Sequence, residues 1–262
     1  MKHLYFLQTF CYMLLCAVGF TACSSDADDV IAENGIGYVS LALNADTGFG
    51  AATKAVDESK YEDKNNYTVQ ILKDGKVVEG MSWNYKDMPT EPIGLSFGSY
   101  VIKAFYGKDF ETVSQDQFYS EGTANLTLDS TEPQSVNVTC HATCAKLTVI
   151  YDDTEIKKYF ERFNIGLSTQ ALGSGTYSYA NTDPVYLKVA SGGEQVSVTY
   201  TFTGKESYKD QTISRKYTLK PGQSKEVTIT PSVTSGKLSL TIKVDETVET
   251  IECPIEIPSD WI

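Results

Sequence analysis

Short segments in which apolar and polar residues alternate recur along the chain, and they constrain its fold more than any other feature. In Lys237–Val244, the apolar residues Leu238, Leu240, Ile242 and Val244 occupy every second position. Because successive side chains of a strand point to opposite faces, this alternation predicts a strand with one buried face. About a dozen such segments, separated by turn-forming residues, predict an all-β protein.

The spacing of the strands predicts two tandem β-sandwich domains. The segment Tyr67–Glu79 contains two alternating runs around Asp74-Gly75, a pair that favours a tight hairpin turn because both positions take positive φ angles. A hinge at His141–Ala145 divides the strands into an N-terminal domain, residues 36–142, and a C-terminal domain, residues 143–262.

One short helix is expected, in the second domain. Asp152 and Asp153 precede a segment in which apolar residues follow each other at three- and four-residue spacing, as on one face of a helix. The apolar residues of that spacing are Ile156, Tyr159, Phe160 and Phe163. Calcium binding by the two aspartates is the alternative, although helix capping explains them more simply.

The first residues resemble the leader of a bacterial lipoprotein. Lys2 precedes an apolar run from Leu4 to Phe20, and the run ends in Thr21-Ala22-Cys23. Residues 1–22 are therefore predicted to be a signal peptide. The lipobox-like ending implies that Cys23 becomes the first residue of the mature chain and is acylated, for example with palmitate, which anchors the protein in the outer membrane. A plain signal peptide or an anchoring helix is the alternative.

The segment after Cys23 is acidic. Residues 23–35 form a predicted tether, in which Asp26, Asp28 and Asp29 resemble the surface-export signal of Bacteroidales lipoproteins. That resemblance implies a protein that faces outward, whereas a solvated linker is the alternative.

Composition argues against several functions. The chain has 34 acidic and 22 basic residues, a net charge of -12, which disfavours nucleic-acid binding. His3 and His141 are the two histidines, too few for sites built on several imidazoles. Cys140 and Cys144 flank His141, but zinc needs four ligands and a nucleophile must reach its base, so buried structural thiols are expected. We therefore predict no enzyme activity, cofactor or metal.

Four aromatic residues are candidate ligand contacts. Trp83 and Tyr85, and Phe118 and Tyr119, lie on or beside predicted loops of the first domain, and exposed aromatic rings stack on sugars and anchor protein interfaces. The alternative is that such rings cover the core. Tyr177, Tyr179 and Tyr186 are equivalent candidates in the second domain.

Ser130 is a candidate modification site. The sequence Asp129-Ser130-Thr131 resembles the acceptor motif of Bacteroidales protein O-glycosylation and lies in a predicted turn. An ordinary turn is the alternative.

The segment Gly98–Ala104 resembles the Gly-x-Tyr-x-x-x-Ala segment of transthyretin-like and related immunoglobulin-like sandwiches. With the lipobox, the Asp-Gly hairpin, Cys140 at the end of the first domain and the Pro258–Trp261 ending, the mature chain resembles a family of Bacteroidales lipoproteins. That family is usually discussed beside fimbrillin-like and cell-adhesion proteins.

The resemblance implies a non-enzymatic, surface-exposed lipoprotein with a cell-adhesion or fimbria-associated role, whose partner is a host surface, a glycan or a pilus subunit. A glycan-binding lipoprotein of a polysaccharide-uptake system is the alternative. Fimbrillin-type shaft subunits are thought to be cut by an arginine-directed protease after their first strand, but Arg162 and Arg215 both lie in the second domain. A tip, anchor or stand-alone protein is therefore expected, while Lys54 and Lys60 leave a lysine-directed cut, and assembly through an exchanged strand, open.

Overall fold

Three β-sheets account for most of the structure. The computed structural model describes residues 35–49, 56–205, 208–234, 237–244 and 247–253. In these residues the sheets contain seven, four and six strands, which confirms the prediction of a β protein. The leader, Cys23, the three aspartates after it and nearly all of the tether lie outside the described residues.

The seven-stranded sheet is formed by residues of the first half of the chain, 35–142. Its strands are β1 (Ile36–Ala45), β2 (Thr68–Lys73), β3 (Lys76–Asn84), β4 (Ile93–Ser96), β5 (Gly98–Gly107), β7 (Tyr119–Leu128) and β8 (Gln134–Ala142). Their order in the sheet is β3-β2-β5-β7-β8-β1-β4, so β3 and β4 are its two edges.

This sheet curls around its own core. Strands β7 and β8 pair only at Ser120↔Ala142 and Glu121↔His141, so the two parts of the sheet diverge beyond that point. Side chains from both parts nevertheless pack into one cluster, as in a half-barrel. Its largest fully buried members are Tyr67, Ile71, Ile102 and Leu128.

The hairpin turn between β2 and β3 has the predicted geometry. Asp74 and Gly75 have φ angles of 52° and 75°, and Asp74 is the residue other than glycine with positive φ among the described residues. The Asp-Gly prediction is therefore confirmed, because this turn requires positive φ at both positions.

The second half of the chain, residues 145–253, forms most of the other two sheets. Their strands are β6 (Val113–Ser114), β9 (Ala145–Tyr151), β10 (Phe160–Ser168), β11 (Tyr177–Tyr179), β12 (Val185–Leu187), β13 (Glu194–Gly204), β14 (Gln211–Leu219), β15 (Ser224–Thr234), β16 (Lys237–Val244) and β17 (Thr247–Cys253). The strand orders are β11-β10-β13-β14 and β17-β16-β15-β9-β12-β6, and side chains of the two sheets share one large core cluster.

Helical structure is brief in the described residues. Helix α1 spans Ser59–Glu62, which the sequence did not predict, and α2 spans Asp153–Ile156. The expected continuation of α2 is wrong, because Phe160 and Phe163 lie in β10. Their ring centroids are 4.9 and 4.6 Å from that of Phe202 on β13, and this packing outweighs the helical spacing. Neither helix is long enough to cross a membrane, nor is any other among the described residues.

The two halves are joined by strand pairing and by a shared hydrophobic cluster as well as by the connecting chain. Strand β6 belongs to the first half of the chain but pairs with β12 of the six-stranded sheet at Val113↔Leu187 and Ser114↔Tyr186. Beside it lies a separate hydrophobic cluster, called here the junction cluster, with side chains from both halves. Its buried members are Phe49, Val56, Tyr61, Phe118, Ala142, Cys144 and Tyr186.

Candidate binding site

A cavity of about 400 Å³ lies where the two edges of the curled sheet are connected. Strand β3 ends at Asn84, residues 85–92 lead from it to β4, and this connection forms one wall. We call it the Tyr85 cavity. It is lined by Val39, Ser40 and Leu41 of β1, Asn65, Ile93 of β4, and Tyr85, Lys86, Met88, Pro89, Thr90 and Glu91 of the connection.

Tyr85 is held in this cavity by two local contacts. Its backbone N–H donates to the carbonyl oxygen of Tyr67 at 2.8 Å. The Lys64 Nζ lies 5.2 Å from the centre of the Tyr85 ring, within the range of a cation–π interaction. The hydrogen bond positions the backbone of Tyr85, and its half-buried ring lies at the cavity wall.

Asn65 is positioned by the short 3₁₀ turn Lys64–Asn66. The Asp63 side chain accepts a hydrogen bond from the backbone N–H of Asn65 at 3.0 Å and thereby caps the turn. The exposed Asn65 amide is therefore presented from a fixed backbone at the cavity wall.

The cavity combines an apolar base with polar groups at its rim. Val39 and Ile93 are buried, whereas Ser40, Thr90 and Glu91 are exposed. Hydroxyl, amide and carboxylate groups around an aromatic ring are the usual chemistry of a site that binds a polar ligand through stacking and hydrogen bonds.

Trp83 lies two residues before Tyr85 but outside the cavity lining. On β3 it is paired with Val69 of β2, which is buried, so both side chains face the core side of the sheet. Trp83 is partly buried against the core of the curled sheet and covers its open edge. Of the four aromatic candidates, the structure places only Tyr85 in the Tyr85 cavity.

Phe118 is fully buried in the junction cluster, which removes it from any surface contact. Its ring stacks on Tyr61 with centroids 3.7 Å apart and lies 4.9 Å from Tyr186. The sequence prediction placed it beside a loop, but aromatic residues from both halves of the chain enclose it.

Tyr119 lies on the outer face of the sheet, half-buried beside Phe105, with ring centroids 6.0 Å apart. The Lys103 Nζ lies 5.9 Å from the Tyr119 ring centre and 2.9 Å from a carboxylate oxygen of Glu121. That hydrogen bond raises the pKa of Lys103, and burial raises the pKa of the Tyr119 hydroxyl. This group is separate from the Tyr85 cavity.

The remaining candidate residues lie in the core, in a turn or at the end of a helix. Tyr179 and Tyr186 are buried, and Tyr177 is half-buried with its hydroxyl donating to Gln115 Oε1 at 3.3 Å. Ser130 is half-buried in the turn between β7 and β8. Asp152 accepts hydrogen bonds from the backbone N–H groups of Thr154 and Glu155, so it caps α2 as expected.

Sequence reasoning missed a buried ion pair in the junction between the halves. The carboxylate of Glu58 lies 3.0 and 3.1 Å from Lys146 Nζ, and both side chains are no more than 3% exposed. The Tyr186 hydroxyl donates to the same carboxylate at 2.6 Å, and Lys146 Nζ lies 5.5 Å from the Phe49 ring centre. Glu58 and Lys146 are 88 positions apart, so no local pattern connects them.

The three cysteines of the described residues are buried, free thiols, as predicted for Cys140 and Cys144. Cys140 lies in the core of the curled sheet, Cys144 in the junction cluster and Cys253 in the core of the second half. Burial raises the pKa of the Cys140 thiol to about 12 and that of Cys144 further still, the opposite of a reactive cysteine. Within the described part of the chain, no group of His, Cys, Asp and Glu residues is arranged to hold a metal ion.

A protein-family model described as a domain of unknown function, DUF4493, matches residues 35–259, which is most of the chain. The chain belongs to the DUF4493 family. None of the curated proteins matches the DUF4493 chain in sequence.

Solved structures resemble the DUF4493 chain over most of its length at low identity. A candidate adhesin from Bacteroides ovatus has 12% identity and a TM-score of 0.46, and the match covers 83% of this chain and 95% of that one. A candidate cell adhesion protein from Bacteroides eggerthii has 12% identity and a TM-score of 0.42, with 84% and 96% covered. The fimbrial anchor protein Mfa2 from Porphyromonas gingivalis has 11% identity and a TM-score of 0.36, with 82% and 99% covered. The predicted resemblance to Bacteroidales adhesion and fimbrial proteins is confirmed.

Proposed function

We propose that this DUF4493 protein is a non-enzymatic, surface-exposed lipoprotein that binds a partner in cell adhesion or in association with fimbriae. The observation that carries the proposal is the Tyr85 cavity, which three parts of the chain form from a half-buried aromatic ring, an apolar base and polar groups at its rim. A binding protein needs such a preformed recognition site.

Binding should depend on Tyr85. The chain from residue 24 to residue 262 is immobilised and screened against host-matrix proteins and fimbrial preparations, as wild type and as Tyr85→Ala and Tyr119→Ala. Both variants remove a half-buried tyrosine of the first half, but only Tyr85 lines the cavity. Binding that is lost with Tyr85→Ala and kept with Tyr119→Ala supports the proposal, whereas equal binding by all three proteins contradicts it.

Glycan capture is the second candidate, favoured by the hydroxyl, amide and carboxylate groups around Tyr85. A glycan array with the same three proteins and Trp83→Ala tests it. Tight oligosaccharide binding that depends on Tyr85 or Trp83, without binding to matrix or fimbrial proteins, would replace the adhesion proposal with glycan capture.

Anchoring and exposure are part of the proposal and rest on the leader sequence. Cys23→Ala is expected to release the protein from the outer-membrane fraction, and continued membrane association would refute lipidation at this residue. Protease added to intact cells should degrade the protein, and replacing Asp26, Asp28 and Asp29 by asparagine should protect it. Full protection of the wild-type protein would place it on the inner leaflet.

Two further expectations of the sequence stay predictions. Glycosylation of Ser130 would add a glycan mass to the mature protein that Ser130→Ala abolishes. The division into sandwich domains at residues 142 and 143 predicts that each part folds when it is expressed separately.

A further inference from the structure

Strand β1 is the first strand of the described chain and has a neighbour on both sides. It pairs in parallel with β8 at seven positions, from Val39↔Gln134 to Ala45↔Cys140. It pairs antiparallel with β4 at four positions, from Ile36↔Ser96 to Val39↔Ile93. To leave the sheet, β1 must therefore break contacts with two strands, whereas an edge strand would break contacts with one.

The direction of these strands decides how tension would act on them. A pull on the N-terminal side enters β1 at Ile36 and is directed away from Ala45. The rest of the chain leaves β8 at Ala142, next to the far end of β1, because Ala45 lies opposite Cys140. The force on β1 and the opposing force on β8 thus act at opposite ends of the pair. The two strands can separate only by sliding along each other, so the hydrogen bonds between β1 and β8 bear the force together.

The path of the load continues into a second pair of the same kind. Strand β8 is followed after two residues by β9, the first strand of the second half, which pairs in parallel with β15 from Ser224↔Lys146 to Ile229↔Tyr151. The connection itself is hydrogen-bonded, with Thr143 N–H donating to Tyr119 and Gly222 N–H donating to Cys144. The buried pair of Glu58 and Lys146 joins β9 to the first half at the same place.

We propose that this fold has a further function as a tension-bearing element, in which the parallel pair β1–β8 resists force applied between the N-terminus and the rest of the molecule. The proposal rests on the proposed attachment through the N-terminus, which puts β1 directly after the tether. A surface protein that holds a partner under flow experiences this load whenever the partner pulls away from the membrane.

Two pulling directions on the same protein test the proposal. Residues 24–262 carry a handle at the N-terminus and a second handle either at the C-terminus or on Thr131→Cys. Thr131 is exposed in the turn before β8, and the adjacent Ser130 oxygen lies 3.0 Å from the position of a Cβ on Gly37 of β1. The second handle position therefore pulls both parallel strands from the same end, which separates them one pair at a time.

Single-molecule force measurements compare the two directions. Because one residue pair instead of seven bears the load, we expect the rupture force of the first half to fall to about half or less with the Thr131→Cys handle. The three native thiols are buried, so the handle attaches at the introduced cysteine. Equal rupture forces in the two directions would overturn the proposal.

A disulfide across the pair provides the second measurement. Ala42 and Asn137 are exposed and opposite each other on β1 and β8, at a spacing that a disulfide spans. Oxidised Ala42→Cys/Asn137→Cys, pulled by its two ends, should lose the high-force event and release about 330 Å less chain, at roughly 3.5 Å per residue. Reduction should restore both.

The matched control links β5 to β7 through Val101→Cys/Asn125→Cys, which are also exposed and opposite each other. It should shorten the released chain while leaving the rupture force unchanged, because it lies outside the load path. A high-force event that survives the first disulfide, or is lost with the control, would contradict the proposal. These measurements do not depend on lipidation, so failure of the anchor would be seen only in the Cys23→Ala fractionation.

Discussion

The ion pair between Glu58 and Lys146 makes the sharpest prediction about stability. Both side chains are almost fully buried, and the Glu58 carboxylate also accepts a hydrogen bond from Tyr186. Glu58→Gln keeps the shape of the side chain but removes its charge, so the buried Lys146 ammonium loses its ion pair with the carboxylate 3.0 Å away. Removing one partner of a buried ion pair typically lowers the free energy of unfolding by about 3–5 kcal/mol.

Two further variants show how much the buried ion pair contributes relative to a buried hydrogen bond and to an exposed ion pair. Tyr186→Phe removes one hydrogen bond to a charged group, which is worth about 1.5–3 kcal/mol. Lys157→Ala removes an ion pair with Asp153 whose side chains are 63% and 60% exposed, and such pairs contribute about 0–1 kcal/mol. The expected order of destabilisation is therefore Glu58→Gln, then Tyr186→Phe, then Lys157→Ala.

The assay is urea unfolding followed by tryptophan fluorescence, since urea does not screen charges. Glu58→Leu/Lys146→Met/Tyr186→Phe replaces the ion pair and the hydroxyl bonded to it with apolar side chains of similar size, and it should recover most of the stability lost in Glu58→Gln. The prediction fails if Glu58→Gln lowers the free energy of unfolding no more than Lys157→Ala does, or if the triple variant is less stable than Glu58→Gln.

Three other predictions follow from positions that the structure defines closely. Gly107→Ala should lower the free energy of unfolding by more than about 2 kcal/mol, because φ is +87° and a Cβ would lie 2.2 Å from the Phe118 carbonyl oxygen. Gly75→Ala should lower it by about 1 kcal/mol, because φ is +75° but the space around the Cβ is open. Equal melting temperatures of the two variants would contradict this difference. Cys140 and Cys144 should resist thiol reagents at pH 8 until the protein is unfolded, and labelling of the native protein, read by mass spectrometry, would show that they are accessible. Burial raises the pKa of the Cys140 thiol from 9.0 to about 12, so the unfolded chain loses this proton at lower pH than the folded protein does. The stability that the neutral thiol contributes is therefore complete below pH 9 and is lost as the pH rises toward 12. Urea unfolding at pH 8 and at pH 10.5 should show a fall in the free energy of unfolding that is smaller in Cys140→Ala.

Local sequence patterns predicted the parts of the fold in which neighbouring residues decide the structure. Alternation identified strands such as β16, Asp74-Gly75 identified the hairpin turn, and Asp152 identified the start of a helix. The helix beyond Ile156 was predicted wrongly because Phe160 packs against a strand more than forty residues away in sequence.

The candidate site could be predicted only in part. The aromatic residues predicted beside loops included Tyr85, but Phe118 was an equal candidate, and the junction cluster encloses it. Nothing in the local sequence shows that Ser40, Asn65 and Glu91 lie around one cavity, since three separate elements supply them.

Residues close to one another in the chain are enough to predict that it folds as β-structure and that Asp74-Gly75 forms a hairpin turn, because both properties depend on local backbone and side-chain preferences. Packing between distant segments brings Glu58 to Lys146, places Tyr85 at a cavity while Phe118 is buried, and sets β1 between β4 and β8. These contacts join residues far apart in the chain, and they form only when burial of the shared cores brings the strands together.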